Sequence, residues 1–370
     1  MKILYIITQA ELGGAQHYVL DLAKHFKGSI AAGQDAEALF SEAATQHIPT
    51  HRLLYLRREI NPYFDFLAFL ELIVLIKQLR PDIIHLNSSK AGVLGSLAGF
   101  LTRVKIVYTA HGFVFNEPLS KWKRMLYVVL ERFGNAFRHH TITVSEADKT
   151  SALKYHIASP SQITTINNGI LELLFIPRSQ ARAQLALPAD QFAFGSIANF
   201  YPTKGLDVLI NACSLLGKEL LQKISVIIIG DGPKRHALLT LIEKHDLSET
   251  VKLVGHIQKA STLLKGFDAF ILPSRKEGFP YAILEALQAG LPIITTNTGG
   301  IPEALGTAGI LVPPDATTQL ADAMEIIATR SSIREELTKK ALAQRKRFSL
   351  DQCLEKTKHI YDIVTKNTPT

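Results

Sequence analysis

Short apolar runs alternate with longer segments of helical periodicity along most of the chain. The first run, from Met1 to Thr8, is followed by Gly13 and Gly14 and then by apolar positions at helical spacing from residue 15 to 23. The same order of strand, turn and helix recurs throughout. Because neighbouring parallel strands need helical crossovers between them, the pattern predicts α/β architecture with parallel sheets.

The predicted strands form two series, which indicate two domains. Residues 171–191 lie between the series, contain Pro177 and Pro188, show little periodicity beyond a short alanine-rich part, and predict a linker. We therefore expect doubly wound parallel-sheet domains at 1–170 and 171–349, with a C-terminal helix in 350–370 that packs back towards the N-terminal domain. The predicted strands are residues 1–8, 29–34, 82–87, 105–110 and 141–145, then 192–199, 226–229, 251–254, 269–272, 293–296 and 310–312.

Composition places the chain among soluble globular proteins. It has 370 residues, 47% hydrophobic and 20% charged, which is enough for two ordinary cores. The 41 Lys and Arg exceed the 33 Asp and Glu, giving a net charge of +8 that suits phosphorylated ligands, anionic lipid or nucleic acid. The basic residues are spread out, so we expect no nucleic-acid partner. The apolar segment 64–79 is interrupted by charges and predicts no membrane span, and the unpatterned Cys213 and Cys353 favour a reducing cytoplasm.

The segment from Leu272 to Leu287 carries the densest candidate chemistry. A buried strand ends there, and the chain passes through Gly278 and Pro280 into a helix. A helix N-terminus after a strand is an anion site, with Pro280 suited to the first helical position. Glu277 precedes this helix and Glu285 lies about one and a half turns into it, so both carboxylates can reach one small ligand. The alternative is that Glu277 only complements the helix dipole and Glu285 is solvated.

Other strand ends carry glycines and polar side chains of the same kind. In the first series, His111 follows the strand 105–110 and Asn87 to Lys90 follow the strand before it. Ligands bind beyond the carboxyl ends of parallel strands, which favours a functional His111 over a turn-capping one. In the second series we expect three further turns at one sheet edge, although each alone could be a plain turn: 199–205 with Lys204, 230–233, and 299–303.

One helix has a composition that suits a membrane surface. Residues 119–133 contain the only tryptophan, Trp122, flanked by Lys121, Lys123 and Arg124. A basic amphipathic helix with an interfacial aromatic residue can lie on an anionic membrane. The alternative is a helix whose apolar face covers the sheet and whose charges are solvated.

Taken in order, these turns resemble the retaining family-4 glycosyltransferases (GT-B fold, glycosyl transferases group 1) over nearly the whole chain. The most specific part is the segment from Ser274 to Pro280 together with Glu285. The segments 87–92 and 109–113 look most like bacterial enzymes that build capsular polysaccharide, exopolysaccharide or O-antigen. The resemblance rests on this ordered set: Gly13-Gly14, His111-Gly112, Lys204-Gly205, Gly230-Asp231-Gly232-Pro233, Glu277 and Glu285, and Gly299-Gly300-Ile301-Pro302-Glu303.

The resemblance implies two Rossmann-like domains facing across a cleft, with a nucleotide-sugar held mainly by the second. Glu277 would then hydrogen-bond to hydroxyls of the donor sugar, Glu285 would hydrogen-bond to the ribose hydroxyls, and Lys204 would neutralise the diphosphate. His111 would reach the donor sugar from the other domain and is counted with Glu277 and Lys204 as catalytic. Further donor contacts would come from Gly14, Asn199, Arg275, Gly278, Phe279 and Pro280. Because family members often have arginine where this chain has Asn199, Lys204 is expected to neutralise the diphosphate either alone or together with Arg275.

The implied reaction moves a hexose or N-acetylhexosamine, from UDP more than from GDP, to a lipid-linked or glycan acceptor at the inner face of the cell membrane. No Asp-x-Asp occurs, so we expect no metal and no cofactor, with Lys204 and helix amides stabilising the leaving group. Retention suggests attack on the face from which the diphosphate departs. Two alternatives are a nucleotide-sugar 2-epimerase of the same architecture and a non-catalytic nucleotide-sugar-binding protein.

Overall fold

A computed structural model describes residues 1–9, 13–117 and 119–366 of the chain. They divide into two compact units. The first contains Met1–Asn168 together with the residues from Asp351 onwards, and the second contains Gly169–Leu350. The chain therefore leaves the first unit and returns to it. The last four positions of the predicted segment 350–370 lie outside the described residues.

The first unit contains a seven-stranded parallel sheet in the order β3-β2-β1-β4-β5-β6-β7. Its strands are β1 (Ile3–Gln9), β2 (Ser29–Gln34), β3 (Thr50–Arg52), β4 (Ile83–Leu86), β5 (Lys105–Ala110), β6 (His140–Thr143) and β7 (Ile163–Thr165). Its helices are α1 (Gly14–His25), α2 (Glu37–Thr45), α3 (Pro62–Leu79), α4 (Ser89–Thr102), α5 (Lys121–Asn135) and α6 (Glu146–Lys154). The chain order reverses between β1 and β4, which is the switch point of a Rossmann-like sheet.

The second unit contains a six-stranded parallel sheet in the order β10-β9-β8-β11-β12-β13. Its strands are β8 (Phe192–Ile197), β9 (Ile224–Ile229), β10 (Val251–Gly255), β11 (Ala269–Leu272), β12 (Ile293–Thr296) and β13 (Gly309–Val312). Its helices are α7 (Arg178–Gln184), α8 (Leu206–Cys213), α9 (Lys218–Leu221), α10 (Arg235–Lys244), α11 (Tyr281–Ala289), α12 (Ile301–Leu305), α13 (Thr317–Thr329) and α14 (Ser331–Gln344). Here the switch point lies between β8 and β11.

Burial explains why the central strands are continuous apolar runs. Every residue of β9 and of β11 is buried, as expected where helices cover both faces of a parallel sheet. Alternating strands and helices in two series thus produce two Rossmann-like domains. The predicted fold class is confirmed.

Three local expectations were wrong or incomplete. The strands β3 and β7 were not predicted, because each has only three residues and pairs with a single neighbour at an edge of the sheet, β3 with β2 and β7 with β6. The predicted linker 171–191 contains α7, which is fixed by the buried Arg182 donating to the carbonyl oxygens of Gly266 and Gln191. Pro280 precedes the first helical residue of α11 instead of occupying that position.

The last helix, α15 (Leu350–Lys366), contributes buried side chains to the first unit. Tyr361 is completely buried, and its ring lies edge-on to Phe26, the residue after α1, and to His85 of β4. No helix in the described part of the chain is long and apolar enough to cross a membrane.

Candidate functional site

In the second unit, the glycine-bearing turns collect at the carboxyl edge of the sheet. They follow β9, β8, β11 and β12, which are consecutive neighbours in the sheet. The loop after β8 exchanges two backbone hydrogen bonds with the loop after β9: Phe200 N donates to Asp231 O at 2.8 Å, and Lys234 N donates to Phe200 O at 3.1 Å. The turns therefore form one connected surface at the sheet edge.

Two glycines allow the turn after β11 to contact its neighbours on both sides. Gly205 has φ +65°, and a Cβ there would lie 2.0 Å from the carbonyl oxygen of Pro273. Gly299 has φ +53°, and a Cβ there would lie 1.8 Å from the carbonyl oxygen of Glu277. No side chain fits at those separations, and both backbones are left-handed, so only glycine is compatible with these approaches. The turn carrying Glu277 is thereby held between the turns after β8 and β12.

Lys204 and Glu277 form an ion pair at this edge. Lys204 Nζ donates to Glu277 Oε1 at 2.7 Å, and Ser274 Oγ donates to the same oxygen at 2.7 Å. The Lys204 side chain is 26% exposed and that of Glu277 9% exposed. Thr203 O accepts a hydrogen bond from Arg275 N at 2.7 Å, which fixes the distance between the two turns. The predicted pair thus forms a compact charged cluster that an anionic ligand with hydroxyl groups could enter.

All three guanidinium nitrogens of Arg275 donate hydrogen bonds to oxygens of the protein. Its Nη1 and Nη2 donate to both carboxylate oxygens of Asp207, at 2.8 and 2.6 Å, and its Nε donates to Asp315 at 2.6 Å. Its Nη1 also donates to the carbonyl oxygen of Pro202 at 2.7 Å. Partial burial acts to raise the pKa of Asp207, but the hydrogen bonds and charge of Arg275 lower it overall. In this arrangement Arg275 braces the loop that carries Lys204, and a direct contact with a diphosphate remains a prediction.

Glu285 lies on α11 and is partly buried. Burial raises the pKa of its carboxyl group to about 7. Among the described residues, no side chain or backbone group hydrogen-bonds to this carboxylate. A carboxylate without a partner in this position is able to accept hydrogen bonds from ligand hydroxyls.

The turn from Gly278 to Pro280 leads into α11 beside Glu277. Gly278 O accepts a hydrogen bond from Gly300 N at 2.9 Å, and Phe279 packs against the ring of Phe348 with centroids 5.2 Å apart. Pro280 has no N–H, so any backbone donors here come from its neighbours, not from Pro280 itself. Asn199 stands two residues beyond the end of β8, on the loop that leads to Lys204.

In the first unit, His111 follows β5 and lies against Tyr18 and Asn87. The rings of Tyr18 and His111 are edge-to-face with centroids 4.9 Å apart, and His111 Nε2 lies 3.5 Å from Asn87 Oδ1. The amide of Asn87 is oriented by its own bond from Nδ2 to His85 O at 2.9 Å. Burial lowers the pKa of His111 to about 3, so the ring is neutral at pH 7. A neutral imidazole can donate one hydrogen bond and accept another.

A buried polar chain beneath His111 was not found from the sequence. His85 Nδ1 lies 2.6 Å from Tyr361 Oη, and His85 Nε2 lies 2.7 Å from Thr109 Oγ1, which is 3.2 Å from Tyr18 Oη. Tyr361 Oη donates in turn to Tyr5 Oη at 3.3 Å. This direction assigns the Nδ1–H tautomer to His85. Burial, and secondarily the charge of His111, lowers the pKa of His85 to about 3.

Gly14 is the first residue of α1, and Gly13 before it has extended backbone. The preceding residues 10–12 lie outside the described part of the chain. Gly14 is therefore at a helix N-terminus beyond β1, the position predicted for it. Its proposed contact with phosphates and acceptor stays a prediction.

Sequence reasoning also missed the residues that hold the charged cluster in place. The sequence marks Ser274 only as part of a motif, and Asp207 and Asp315 are separated from Arg275 by 68 and 40 residues. No local pattern marks such pairs. Within residues 1–9, 13–117 and 119–366, no group of three or more His, Cys, Asp or Glu side chains is arranged to hold a metal ion; independence from metal remains a prediction.

The outer face of α5 is apolar and exposed. Trp122, Met125, Leu126, Val129 and Phe133 lie along it, and Trp122 is 66% exposed. The side chains that α5 buries are Val128, Glu131 and Asn135, with Gly134. The apolar stripe of α5 therefore faces away from the sheet, contrary to the alternative in which it covers the sheet.

Comparison with known proteins assigns both units to sequence families. Residues 12–170 match the family described as Glycosyltransferase Family 4, and residues 177–344 match Glycosyl transferases group 1. The UDP-Gal:alpha-D-GlcNAc-diphosphoundecaprenol alpha-1,3-galactosyltransferase of Escherichia coli is 31% identical over 66% of this chain, and the match spans 65% of that enzyme. The capsular polysaccharide biosynthesis glycosyltransferase CapM of Staphylococcus aureus is 24% identical over 76% of each chain.

Among solved structures, Anabaena Alr3699/HepE in complex with UDP-glucose superposes with a TM-score of 0.86. The superposition covers 98% of this chain and 99% of that one at 22% identity. WaaG, a glycosyltransferase involved in lipopolysaccharide biosynthesis, gives a TM-score of 0.75 over 97% of this chain and 99% of its own, at 17% identity. At these identities the likeness establishes the fold.

Proposed function

The chain belongs to the family-4 glycosyltransferases, and from that premise we propose that it transfers a hexose or N-acetylhexosamine, with retention, from a UDP-sugar to a lipid-linked or glycan acceptor in bacterial surface polysaccharide synthesis. The observation that carries this proposal is the charged cluster of Lys204, Glu277 and Ser274, followed by α11 with Glu285, whose carboxylate has no hydrogen-bond partner among the described residues. The UDP preference is supported by the relatives' names, which include a UDP-galactose enzyme and a complex with UDP-glucose.

The cluster suits a nucleotide-sugar because the Lys204 ammonium, which is paired with Glu277, can also bind an anionic ligand. A bound diphosphate would share the Lys204 ammonium with Glu277, and its negative charge would be stabilised as the leaving group departs. Glu277 would keep the Ser274 hydrogen bond and accept further ones from hydroxyls of the donor sugar. Glu285 would accept hydrogen bonds from ribose hydroxyls. Gly14, Asn199 and the Gly278–Pro280 turn complete the proposed donor contacts.

Retention follows in the proposed mechanism from attack on the face that the diphosphate leaves. The bond from the anomeric carbon to the diphosphate oxygen breaks, and a bond to the acceptor oxygen forms on the same face. The acceptor hydroxyl gives its proton to the departing diphosphate oxygen. His111, neutral at pH 7, would orient the donor sugar by hydrogen bonding.

The experiment is a screen of nucleotide-sugars by thermal shift, followed by a transfer assay with an undecaprenyl-diphosphate sugar and NMR of the product's anomeric centre. Transfer with the donor's configuration retained supports the proposal, and an inverted product contradicts retention. Formation of the 2-epimer from UDP-N-acetylhexosamine alone, with no transfer, would instead identify an epimerase. The family matches and the relatives' names favour the transferase.

We also propose that α5 rests on an anionic membrane at the inner face of the cell membrane. The exposed stripe beginning at Trp122 is flanked by Lys121, Lys123 and Arg124, a pairing of apolar and cationic side chains that fits a lipid interface. Reversing these three cations to Glu should abolish co-sedimentation with anionic vesicles. The matched control reverses three cations of the second unit: Arg330, Lys339 and Lys346. Equal co-sedimentation of both triple variants would contradict membrane contact through α5.

A further inference from the structure

Helix α3 is apolar on two faces, and the protein core uses only one of them. Ala68, Leu72 and Ile76 are its buried residues. Its outward side chains are large and apolar at helical spacing, and Tyr63 is 68% exposed and Phe66 59% exposed. Leu70 and Val74 continue the same stripe. A surface helix ordinarily presents polar residues to water, so an apolar outer face of this length marks an interaction site.

A groove runs along α3, between it and the segment that follows β3. Its volume is about 420 Å³. One wall is held in place by Glu71, whose carboxylate accepts hydrogen bonds from Leu54 N at 2.8 Å and Tyr55 N at 3.2 Å. The groove shares Leu70 and Val74 with the exposed stripe. Its apolar lining consists of Leu53, Tyr55, Leu67, Leu70, Val74 and Leu75.

Cationic side chains lie in the segment that joins the groove wall to the start of α3. The Arg57 guanidinium stacks on the ring of Phe64, 3.7 Å from its centroid, and Arg58 is exposed, without a partner among the described residues. Glu59 is the single carboxylate between residues 52 and 62. An apolar surface thus adjoins two arginines, which suit bidentate binding of phosphate groups.

This segment is connected to the turn that faces His111. Lys90, at the start of α4, donates to the carbonyl oxygen of Glu59 and pairs with Asp65 of α3 at 2.6 Å. The same turn after β4 carries Asn87, whose Oδ1 lies 3.5 Å from His111 Nε2. The arginines and the apolar stripe therefore begin at the carboxyl edge of the first unit's sheet, where ligands bind.

We propose that the segment 53–61 and α3 bind the polyprenyl-diphosphate end of a lipid-linked acceptor, with the diphosphate at Arg57 and Arg58 and the isoprenoid chain along the groove and the exposed stripe. This inference rests on the proposed function and deepens it by naming the acceptor site. The groove is concave and apolar, and cations lie at the reactive edge of the sheet. This shape suits the binding of a single amphiphilic anion better than contact with a flat bilayer.

The test uses farnesyl diphosphate as a water-soluble probe, with the full-length enzyme saturated with UDP so that the diphosphate site of the second unit is filled. Calorimetric titration should show binding of farnesyl diphosphate and much weaker binding of inorganic diphosphate. Arg57→Gln combined with Arg58→Gln should weaken farnesyl diphosphate binding about ten-fold or more, since charge-assisted hydrogen bonds are lost. Phe66→Ser should weaken it about ten-fold through lost apolar burial.

Matched controls are Arg330→Gln and Leu174→Ser, which change an exposed cation and a side chain that is 87% exposed in the second unit. Both should leave the dissociation constant within about two-fold, because neither touches the proposed surface. In transfer assays, the ratio of kcat/KM for a lipid-linked acceptor to that for the same sugar without lipid should fall about ten-fold in the Arg57 and Arg58 double variant.

Two results would overturn the proposal. One is a farnesyl diphosphate affinity that is the same in the wild type, in the Arg57 and Arg58 double variant and in Phe66→Ser. The other is that these variants no longer bind anionic vesicles but keep the wild-type affinity for farnesyl diphosphate, which would assign the surface to a bilayer. Failure of the proposed function has a separate signature: no transfer from any nucleotide-sugar to any acceptor, whatever the farnesyl diphosphate titrations show.

Discussion

Replacing Glu285 by Gln should stabilise the second unit at alkaline pH while weakening donor binding. Burial raises the pKa of Glu285 from 4.5 to about 7, and each pKa unit corresponds to about 1.4 kcal/mol, or ~3 kcal/mol in all. The sign follows from proton uptake. Between pH 4.5 and 7 the folded state keeps a proton on Glu285 that the unfolded chain has released, so stability falls as pH rises through this window. Above about pH 7 the full cost is present, and below pH 4.5 it is absent.

The measurement is differential scanning calorimetry of the wild type and Glu285→Gln from pH 4 to pH 8. At pH 8 the variant should gain up to ~3 kcal/mol, and each kcal/mol raises the melting temperature by roughly 2–4 °C for a domain of this size. At pH 4 the two proteins should melt within about 1 °C of each other, because both side chains are then neutral. The matched control is Glu335→Gln, which changes an exposed carboxylate on α14.

Binding should change in the opposite direction. Hydroxyl groups of a ribose donate to the ionised carboxylate, so the wild type's affinity for a nucleotide-sugar should fall about ten-fold from pH 8 to pH 6 as Glu285 takes up a proton. A nucleotide-sugar is used in place of UDP because its diphosphate does not titrate in this range. Glu285→Gln should bind about ten-fold or more weakly at pH 8 and should lose the pH dependence. A variant that is less stable than the wild type at pH 8, or that binds the donor equally well, would refute the assignment.

Three further variants test the charged cluster and the buried chain. Lys204→Ala should lower kcat by about 100-fold or more, because it removes the cation that would stabilise the leaving group; unchanged steady-state turnover would exclude that role. Gly299→Ala forces a Cβ to within 1.8 Å of the carbonyl oxygen of Glu277, and the displaced turn should lower kcat about ten-fold or more. Gly217→Ala, where a Cβ meets nothing within 4 Å, should match the wild type. Tyr361→Phe should destabilise the first unit by ~1–3 kcal/mol in thermal unfolding, since a buried imidazole N–H loses its acceptor; equal melting temperatures would contradict the hydrogen-bonded chain.

The periodicity of the chain was sufficient for the central strands. The strands β2, β5, β11 and β12 lie where the pattern predicted them, because each is an apolar run bounded by turn residues and buried on both faces. The edge strand β3 carries no such signal, since an edge strand of three residues needs only one partner. The sequence predicts a linker where α7 lies, because this helix is held by Arg182, which donates to the carbonyl oxygens of Gly266 and Gln191, and such contacts leave no local pattern.

The sequence likewise predicts part of the candidate site, namely where its charged residues lie, but not how they pair. The sequence placed Lys204, Glu277 and Glu285 after strands, and parallel topology then required them to share one sheet edge. It could not show that Lys204 and Glu277 pair or that Arg275 is held by two aspartates. Each of those facts depends on contacts between residues that are far apart in the chain.

By itself, the sequence determined the alternation of strands and helices, the two Rossmann-like domains, the family and the turns that carry charge, because these depend on local periodicity and on residue types at fixed spacing. Only the tertiary structure decided which charges meet, which histidines are buried and neutral, and which apolar faces stay exposed. Helix α3 illustrates the difference. Its sequence places large apolar residues on more than one face, and packing in the tertiary structure decides that Leu72 is buried while Tyr63 and Phe66 face outwards.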